Sequence, residues 1–452
     1  MKTQRGDNRL MTQKEFLRLC AIGDREEIEA ALDSGADVRK PAYMHGAKVP
    51  PLFVAVMEEN AEAVRVLLER GADSGDGFIA AVVRGKKKLL KMLIDCGADV
   101  NAPDRNSHNP LLFAVTADKP KVVKWLIQLG ADVNQKSDAG YTALTYAVLM
   151  QMKENNSSGI PRSIHPDIIA HLMKAGADYD EAMIIAVKTG NIDFVRIILE
   201  NGADINRKCE GEQSPLAAAI FTGDREISPE MIEFLASNGA DVNEVFELGE
   251  NAITTALNVS VTMNRPDIAE ILLSYGADPN FRDATGCTPL VYAVLTGEEI
   301  LRTLLEHGAD PDLPDREGRT PLMLAALDVG TEPGISEALI EYGANVNAQD
   351  NDGMTALIWT VAGKDRTPGF LFSALIRTGA LRAEGWREWF MLAAVYTGLK
   401  REAQLDSVRL LVRHGADVRM TDKNGMNAIS CAMMNFDDEI IALLTEPEND
   451  SE

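Results

Sequence analysis

Apolar residues recur along this chain in short runs with helical spacing, and most runs close on the same three residues. Val122-Val123-Lys124-Trp125-Leu126-Ile127, Phe194-Val195-Arg196-Ile197-Ile198-Leu199 and Val408-Arg409-Leu410-Leu411-Val412 each run into a Gly-Ala-Asp. The motif G-A-[DN] stands at Gly35, Gly71, Gly97, Gly130, Gly176, Gly202, Gly239, Gly276, Gly308, Gly343 and Gly415, with a degenerate copy at Gly379-Ala380. Successive spacings are 36, 26, 33, 46, 26, 37, 37, 32, 35, 36 and 36 residues, which a unit of about 33 residues with insertions and deletions accounts for.

A second signature follows most of these glycines, its aliphatic residue 14 positions on. It reads Asn109-Pro110-Leu111, Thr142-Ala143-Leu144, Ser214-Pro215-Leu216, Asn251-Ala252-Ile253, Thr288-Pro289-Leu290, Thr320-Pro321-Leu322, Thr355-Ala356-Leu357 and Asn427-Ala428-Ile429. Thr, Ser or Asn caps a helix by accepting from its free amides, and Pro or Ala suits the first turn. Each unit is therefore predicted to be a capped short helix, a tight turn, a second helix, a left-handed glycine stop and a polar connector.

This pattern resembles the ankyrin repeat, most closely over Asp315-Arg316-Glu317-Gly318-Arg319-Thr320-Pro321-Leu322. The resemblance covers residues 16–445, between a tail of 15 residues and an acidic tail at 446–452, with twelve glycine-terminated units and a final helix pair from Met426 to Leu444. It implies an all-α solenoid of about 12–13 helix-turn-helix units with short β-hairpin fingers. Fingers and inner helices would form a concave surface that binds protein.

Two units depart from the pattern by omission. The 26-residue spacings put Gly71-Ala72-Asp73 and Gly176-Ala177-Asp178 almost directly before the next helix, so the finger is expected to be missing there, as it is after Gly379. Extra length is expected in the turns between the two helices: Gln151 to His165, Asp224 to Pro229, Val259 to Arg265, Asp328 to Gly334 and Leu399 to Leu405. The finger edge would keep a fixed length, apart from the longer Gly35 to Leu52 step. A regular edge suits an extended groove, although insertions also cluster on functional faces.

Charge divides along the chain. Residues 1–200 hold 26 Lys and Arg against 27 Asp and Glu, whereas residues 201–452 hold 19 against 42, almost the whole net charge of −24. Asp104, Asp283, Asp315, Asp350 and Asp422 occupy the finger position expected to close the turn locally. Glu210, Glu247, Glu250, Glu317 and Asp352 stand where the repeat leaves the residue free, with Glu244 just before a finger. They read either as solvated loops or as an acidic rim that steers a basic partner. Gln213 and Arg319 complete the polar candidates, and Tyr141, Leu248, Met354 and Met426 are the apolar anchor candidates, with Leu149 and Met150 on an inner helix. Trp386, Trp389 and Phe390 cluster in the degenerate unit. The one basic run, Arg84, Lys86, Lys87, Lys88 and Lys91, reads as a solvated face or as a site for phosphate or an acidic peptide.

The chemistry expected is correspondingly bland. The five cysteines are far apart, consistent with buried thiols in a reducing cytoplasm and without the close spacing of a zinc site. The six histidines are scattered, and no hydrolase, P-loop or dinucleotide motif occurs. No cofactor, metal, membrane or nucleic-acid partner is expected. The reading is a non-catalytic, monomeric scaffold for a basic protein. The alternatives left open are a stoichiometric inhibitor or immunity protein that masks a basic enzyme, and a secreted host-directed effector.

Overall fold

A computed structural model describes residues 11–44, 47–103, 109–152, 164–209, 213–221, 227–247, 253–327, 333–362, 401–435 and 437–445. The chain divides into two compact units, Met1–Glu212 and Gln213–Glu452.

Unit 1 contains six described helix pairs. They are α1 (Gln13–Ile22) with α2 (Arg25–Asp33), α3 (Pro51–Met57) with α4 (Ala61–Glu69), and α5 (Ser74–Arg84) with α6 (Lys87–Asp95). After them come α7 (Pro110–Thr116) with α8 (Pro120–Gln128), α9 (Ala143–Met152) with α10 (Pro166–Lys174), and α11 (Asp180–Lys188) with α12 (Ile192–Glu200). First helices pack on first helices and second on second. The aliphatic face of each pair, such as Leu111, Leu112, Val122, Val123 and Leu126, is thereby buried.

Local chemistry sets the ends of these helices. Asn60, Asn109 and Asn191 each accept an amide of the first turn of their helices, worth about 1 kcal/mol apiece. The G-A-D glycine lies at positive φ, +82° at Gly71, where any Cβ would be strained. There Ala72 N donates to Leu67 O and Gly71 N to Leu68 O, the paired bonds that terminate a helix without leaving its last carbonyls unmet. The same device closes first helices, with Glu59, Asp118 and Asn264 in the left-handed region.

Unit 2 repeats the plan with α13 (Pro215–Ile220) and α14 (Pro229–Ser237), α15 (Ala256–Thr262) and α16 (Pro266–Ser274), and α17 (Pro289–Thr296) and α18 (Glu298–Glu306). It continues with α19 (Pro321–Leu327) and α20 (Pro333–Glu341), α21 (Ala356–Ala362) and α22 (Arg401–Arg413), and α23 (Ala428–Met434) and α24 (Asp438–Thr445). The only described strands are two antiparallel hairpins, β1 (Ala42–Met44) with β2 (Ala47–Val49) in unit 1 and β3 (Phe246–Glu247) with β4 (Ile253–Thr254) in unit 2.

Several sequence expectations change. The degenerate Gly379 copy lies outside the described residues, and the units on either side of it are neighbours. α21 packs on α22 and α23, and Asn347 Nδ2 donates to Gly415 O while Asp417 N donates to Asn347 Oδ1. The helices α21 and α22 thus form one pair, with residues 363–400 between them in sequence.

The capped signature of the eighth unit is Thr255-Ala256-Leu257 rather than Asn251-Ala252-Ile253. Thr255 accepts from Asn258 N, and Ile253 belongs to β4. Consequently no insertion exists between Val259 and Arg265. The turn after α15 runs over 263–265, as brief as that over 117–119. The extra residues lie in the finger, so the finger edge does not keep a fixed length. It lengthens at both hairpins.

Candidate functional site

Three fingers of unit 2 are built on the buried aspartates Asp283, Asp315 and Asp350, and a fourth on the half-buried Asp422. Asp315 Oδ1 accepts from Glu317 N and Arg319 N, both at 2.9 Å, and its side chain is 0% exposed. Asp350 accepts from Asp352 N at 2.9 Å and Met354 N at 2.8 Å, and Asp422 from Asn424 N and Met426 N at 2.8 Å. Asp283 does the same for Thr285 N and Cys287 N. A carboxylate that meets the amides two and four residues on closes the turn and satisfies donors otherwise lost on burial. Asp104, the fifth aspartate of this class, lies outside the described residues.

The second carboxylate oxygen faces the stack. Asp283 accepts from the Tyr292 hydroxyl, Asp315 from Arg319 Nε at 2.9 Å, and Asp350 from Trp359 Nε1 at 2.9 Å. Burial, together with the Asp283 carboxylate, raises the Tyr292 pKa, so this hydroxyl stays protonated and donates. Burial also pushes the Cys287 thiol up to about 12. The roles of Tyr292 and Trp359 were missed in the sequence. Their only signal was a polar ring two residues after the buried aliphatic.

Backbone and side-chain bonds join one finger to the next. Arg282 Nη1 donates to Pro314 O at 2.7 Å, Asn351 N to Glu317 O at 3.0 Å, and Lys423 N to Asp352 O at 2.9 Å. The approach is close enough that a Cβ on Gly318 would stand 2.7 Å from Asn351 N. Four fingers therefore form a ladder held in register at the tips.

This ladder sorts the candidates. Tyr141, Arg319, Met354 and Met426 share with Cys287 the register position that ends the finger turn. Cys287 and Met354 are buried, and the Arg319 side chain is only 12% exposed, each in a finger followed by another. Met426 closes the last finger and Tyr141 precedes a unit without one, and both are half-buried. Met354 is thus packing rather than an exposed anchor. Arg319 is held by Asp315 and by Glu317 at 2.8 Å. Tyr141 lies edge-on to Tyr146 at 6.5 Å, and Leu149 and Met150 are half-buried.

Among the acids, Glu247 is exposed on β3, beside Phe246, which is buried edge-on to Phe221 at 5.3 Å. Asp352 is exposed at a tip with Lys423 Nζ 3.8 Å away. The exposed charges of the finger tips are therefore mixed, with Arg282, Arg316 and Lys423 among Glu317 and Asp352. Much of the acidity of unit 2 lies instead on the second helices, at Glu230, Glu233, Asp267, Glu270, Glu299, Glu306, Glu337 and Glu341. Gln213 is described at the start of unit 2, half-buried just before α13. Glu210, Leu248 and Glu250 lie outside the described residues, as do Trp386, Trp389 and Phe390.

The unit 1 edge differs. Ser74 and Asp180 begin α5 and α11 within four residues of Gly71 and Gly176, so both expected gaps in the finger row are present. Among the described residues no group of three or more His, Cys, Asp or Glu side chains is placed to hold a metal, and no helix is long and apolar enough to cross a membrane.

A family model for ankyrin repeats in three copies matches residues 78–157, 161–246, 230–315 and 257–350. A curated relative from Pongo abelii, the ankyrin repeat, SAM and basic leucine zipper domain-containing protein 1, is 31% identical over 112 residues, 22% of this chain. The chain spans only 23% of that relative's length. Among solved structures, the crystal structure of the ankyrin repeat domain of Bcl-3, described as a unique member of the IkappaB protein family, is 25% identical. It has a TM-score of 0.43, with 59% of this chain and 99% of that chain covered. The family model matches more than half of the residues, capped helix pairs and glycine stops recur on both sides of the matched region, and an aspartate-closed finger recurs beyond it at Asp422; the chain belongs to the ankyrin-repeat family.

Proposed function

We propose that this chain is a non-catalytic, monomeric protein-interaction scaffold of the cytoplasm, and that the finger row of unit 2 receives a basic protein. Ankyrin repeats generally mediate protein–protein interaction, which supports the scaffold role. The observation that carries the placement is the finger ladder. Buried aspartates and tip-to-tip bonds fix the backbone before any partner arrives, which lowers the ordering cost of binding. The excess of 42 acids over 19 bases in residues 201–452 supports a basic partner, because such a field speeds encounter and rejects acidic competitors. The acids of the second helices would supply the long-range field, and Glu247 and Asp352 the short-range contacts. Of the apolar candidates, Met426 remains accessible at the end of this row.

The test is association kinetics with a basic protein captured from native lysate at low salt. Glu247→Lys combined with Asp352→Lys is expected to leave the melting curve unchanged and to slow association about tenfold at low ionic strength. An unaltered on-rate removes both residues from the site. Capture that survives high salt equally well would move the reading to Met426 and other apolar contacts.

A further inference from the structure

A cationic face interrupts the second helices of unit 1. α6, α8 and α10 belong to consecutive pairs and pack in that order. Lys88 and Lys91 on α6, Lys121 and Lys124 on α8, and Lys174 on α10 are all exposed, with Lys86 and Lys87 at the edge. α2, α4, α10 and α12 place acids in their first turns: Glu26 and Glu27, Glu62, Asp167 and Asp193. α6 and α8 place none there and carry Lys87, Lys88 and Lys121 instead. Cations at that end oppose the helix dipole, so helix stability does not account for them.

Local pairing does not account for them either. Glu59 holds Lys86 at 2.7 Å and Lys88 at 3.5 Å, and Lys87 reaches Gln128 at 3.4 Å. Lys91, Lys121, Lys124 and Lys174 make no ion pair among the described residues. The half-buried His171 ring stands among them. Burial lowers its pKa first, and Lys124 and Lys174 lower it further against the opposing pull of Asp167. The two lysines therefore act on one point of the surface.

We infer that this face binds a short acidic segment of a partner protein. The occupant is an acidic peptide rather than a nucleic acid for three reasons. At roughly 8–10 Å per helix the patch is about 20 Å across, and a uniformly charged polymer extending beyond it would meet a chain of net charge −24. The exposed cations of α6, α8 and α10 are all lysines, without the planar arginine fork that grips phosphate in two places. Trp125, the aromatic residue of α8, is half-buried and offers no open platform for a base. An Asp- and Glu-rich segment has local charge that the lysine rows can match without a groove. This inference does not depend on the reading of the finger row.

The experiment is fluorescence anisotropy of a labelled, short Asp/Glu peptide titrated with the full chain at about 50 mM and about 300 mM salt. The probe is expected to bind at low salt, to weaken about tenfold at the higher salt, and to lose about tenfold in affinity with Lys91→Gln, Lys121→Gln, Lys124→Gln and Lys174→Gln combined. These positions are exposed, so the melting curve should not move, and Lys14→Gln on α1 should bind as the parent does. No binding at low salt, or equal binding by parent and variant, overturns the inference. So does tighter lysine-dependent binding of a DNA duplex or of phosphatidylserine vesicles, which would assign the face to phosphate. Salt-sensitive self-association in sedimentation that the lysine variant abolishes would assign it to a second copy, and overturns it too.

Discussion

The two units use one module and differ at its edges. In unit 2 the fingers of Asp283, Asp315, Asp350 and Asp422 follow one another and bond tip to tip, whereas in unit 1 two of the six pairs have no finger. The helix pairs of both units bury the same faces and stop on the same glycines. The fold therefore resides in the helix pairs, and the finger is an addition that a unit can lack while it still stacks. This separates what stabilises the chain from what it can offer a partner.

The largest way to probe the difference is to damage one core and watch the other. Leu290→Ala or Leu322→Ala is expected to destabilise unit 2 by about 2–5 kcal/mol through the cavity left behind. Because each pair rests on its neighbours, denaturant unfolding should then resolve into two steps, with unit 1 lost second. A single, unshifted transition by circular dichroism would show that the contrast has no energetic meaning.

The finger itself is the next target. Asp350→Ala removes a buried acceptor of two amides and the Trp359 indole, and should cost about 2–3 kcal/mol. Asp352→Ala, on the same finger but exposed, should cost less than about 0.5 kcal/mol. Equal losses would mean that both acids belong to the fold.

Glycine substitutions sharpen the same point. Gly318 and Gly140 have nearly equal φ, +81° and +84°, but an added Cβ meets Asn351 N at 2.7 Å in one case and nothing within 4 Å in the other. Gly318→Ala in unit 2 should therefore cost about 1 kcal/mol or more beyond Gly140→Ala in unit 1. Similar melting shifts would show that the fingers do not form a ladder in solution.

The smallest effect is in pH. The folded-state pKa of His171 lies below its ordinary value, so on acidification the unfolded chain takes up that proton first. Its contribution to stability is present above about pH 6.5 and is lost as pH falls through that region. His171→Gln should flatten the fall, and Lys124→Gln should make it smaller, because it brings the folded pKa closer to the unfolded one. A steeper fall in His171→Gln would reverse the sign assigned here.

Local chemistry was legible in the residues. Caps, glycine stops, missing fingers and the closing aspartates each depend on a few neighbouring positions, and their spacing disclosed them. Register was less legible. Asn251-Ala252-Ile253 and Thr255-Ala256-Leu257 satisfy the same local rule four residues apart, and only packing of α15 decides between them. Gly343 and Gly415 are two units apart in sequence, and only the packing of α21 on α22 and α23 shows that the helices between them form one pair. Met354 occupies a position that is half-buried in Tyr141 and Met426, and the finger beyond it determines its burial. Such contacts between units leave no mark within one unit, which is why the helices could be read more fully than the surface.

Hydrogen exchange of the full chain with and without its captured basic partner tests the central claim most directly. The account predicts new protection over residues 243–247, 278–287, 310–319, 345–354 and 417–426, with the fingers of unit 1 unchanged. Protection confined to unit 1, or to the second helices with the fingers untouched, would contradict it.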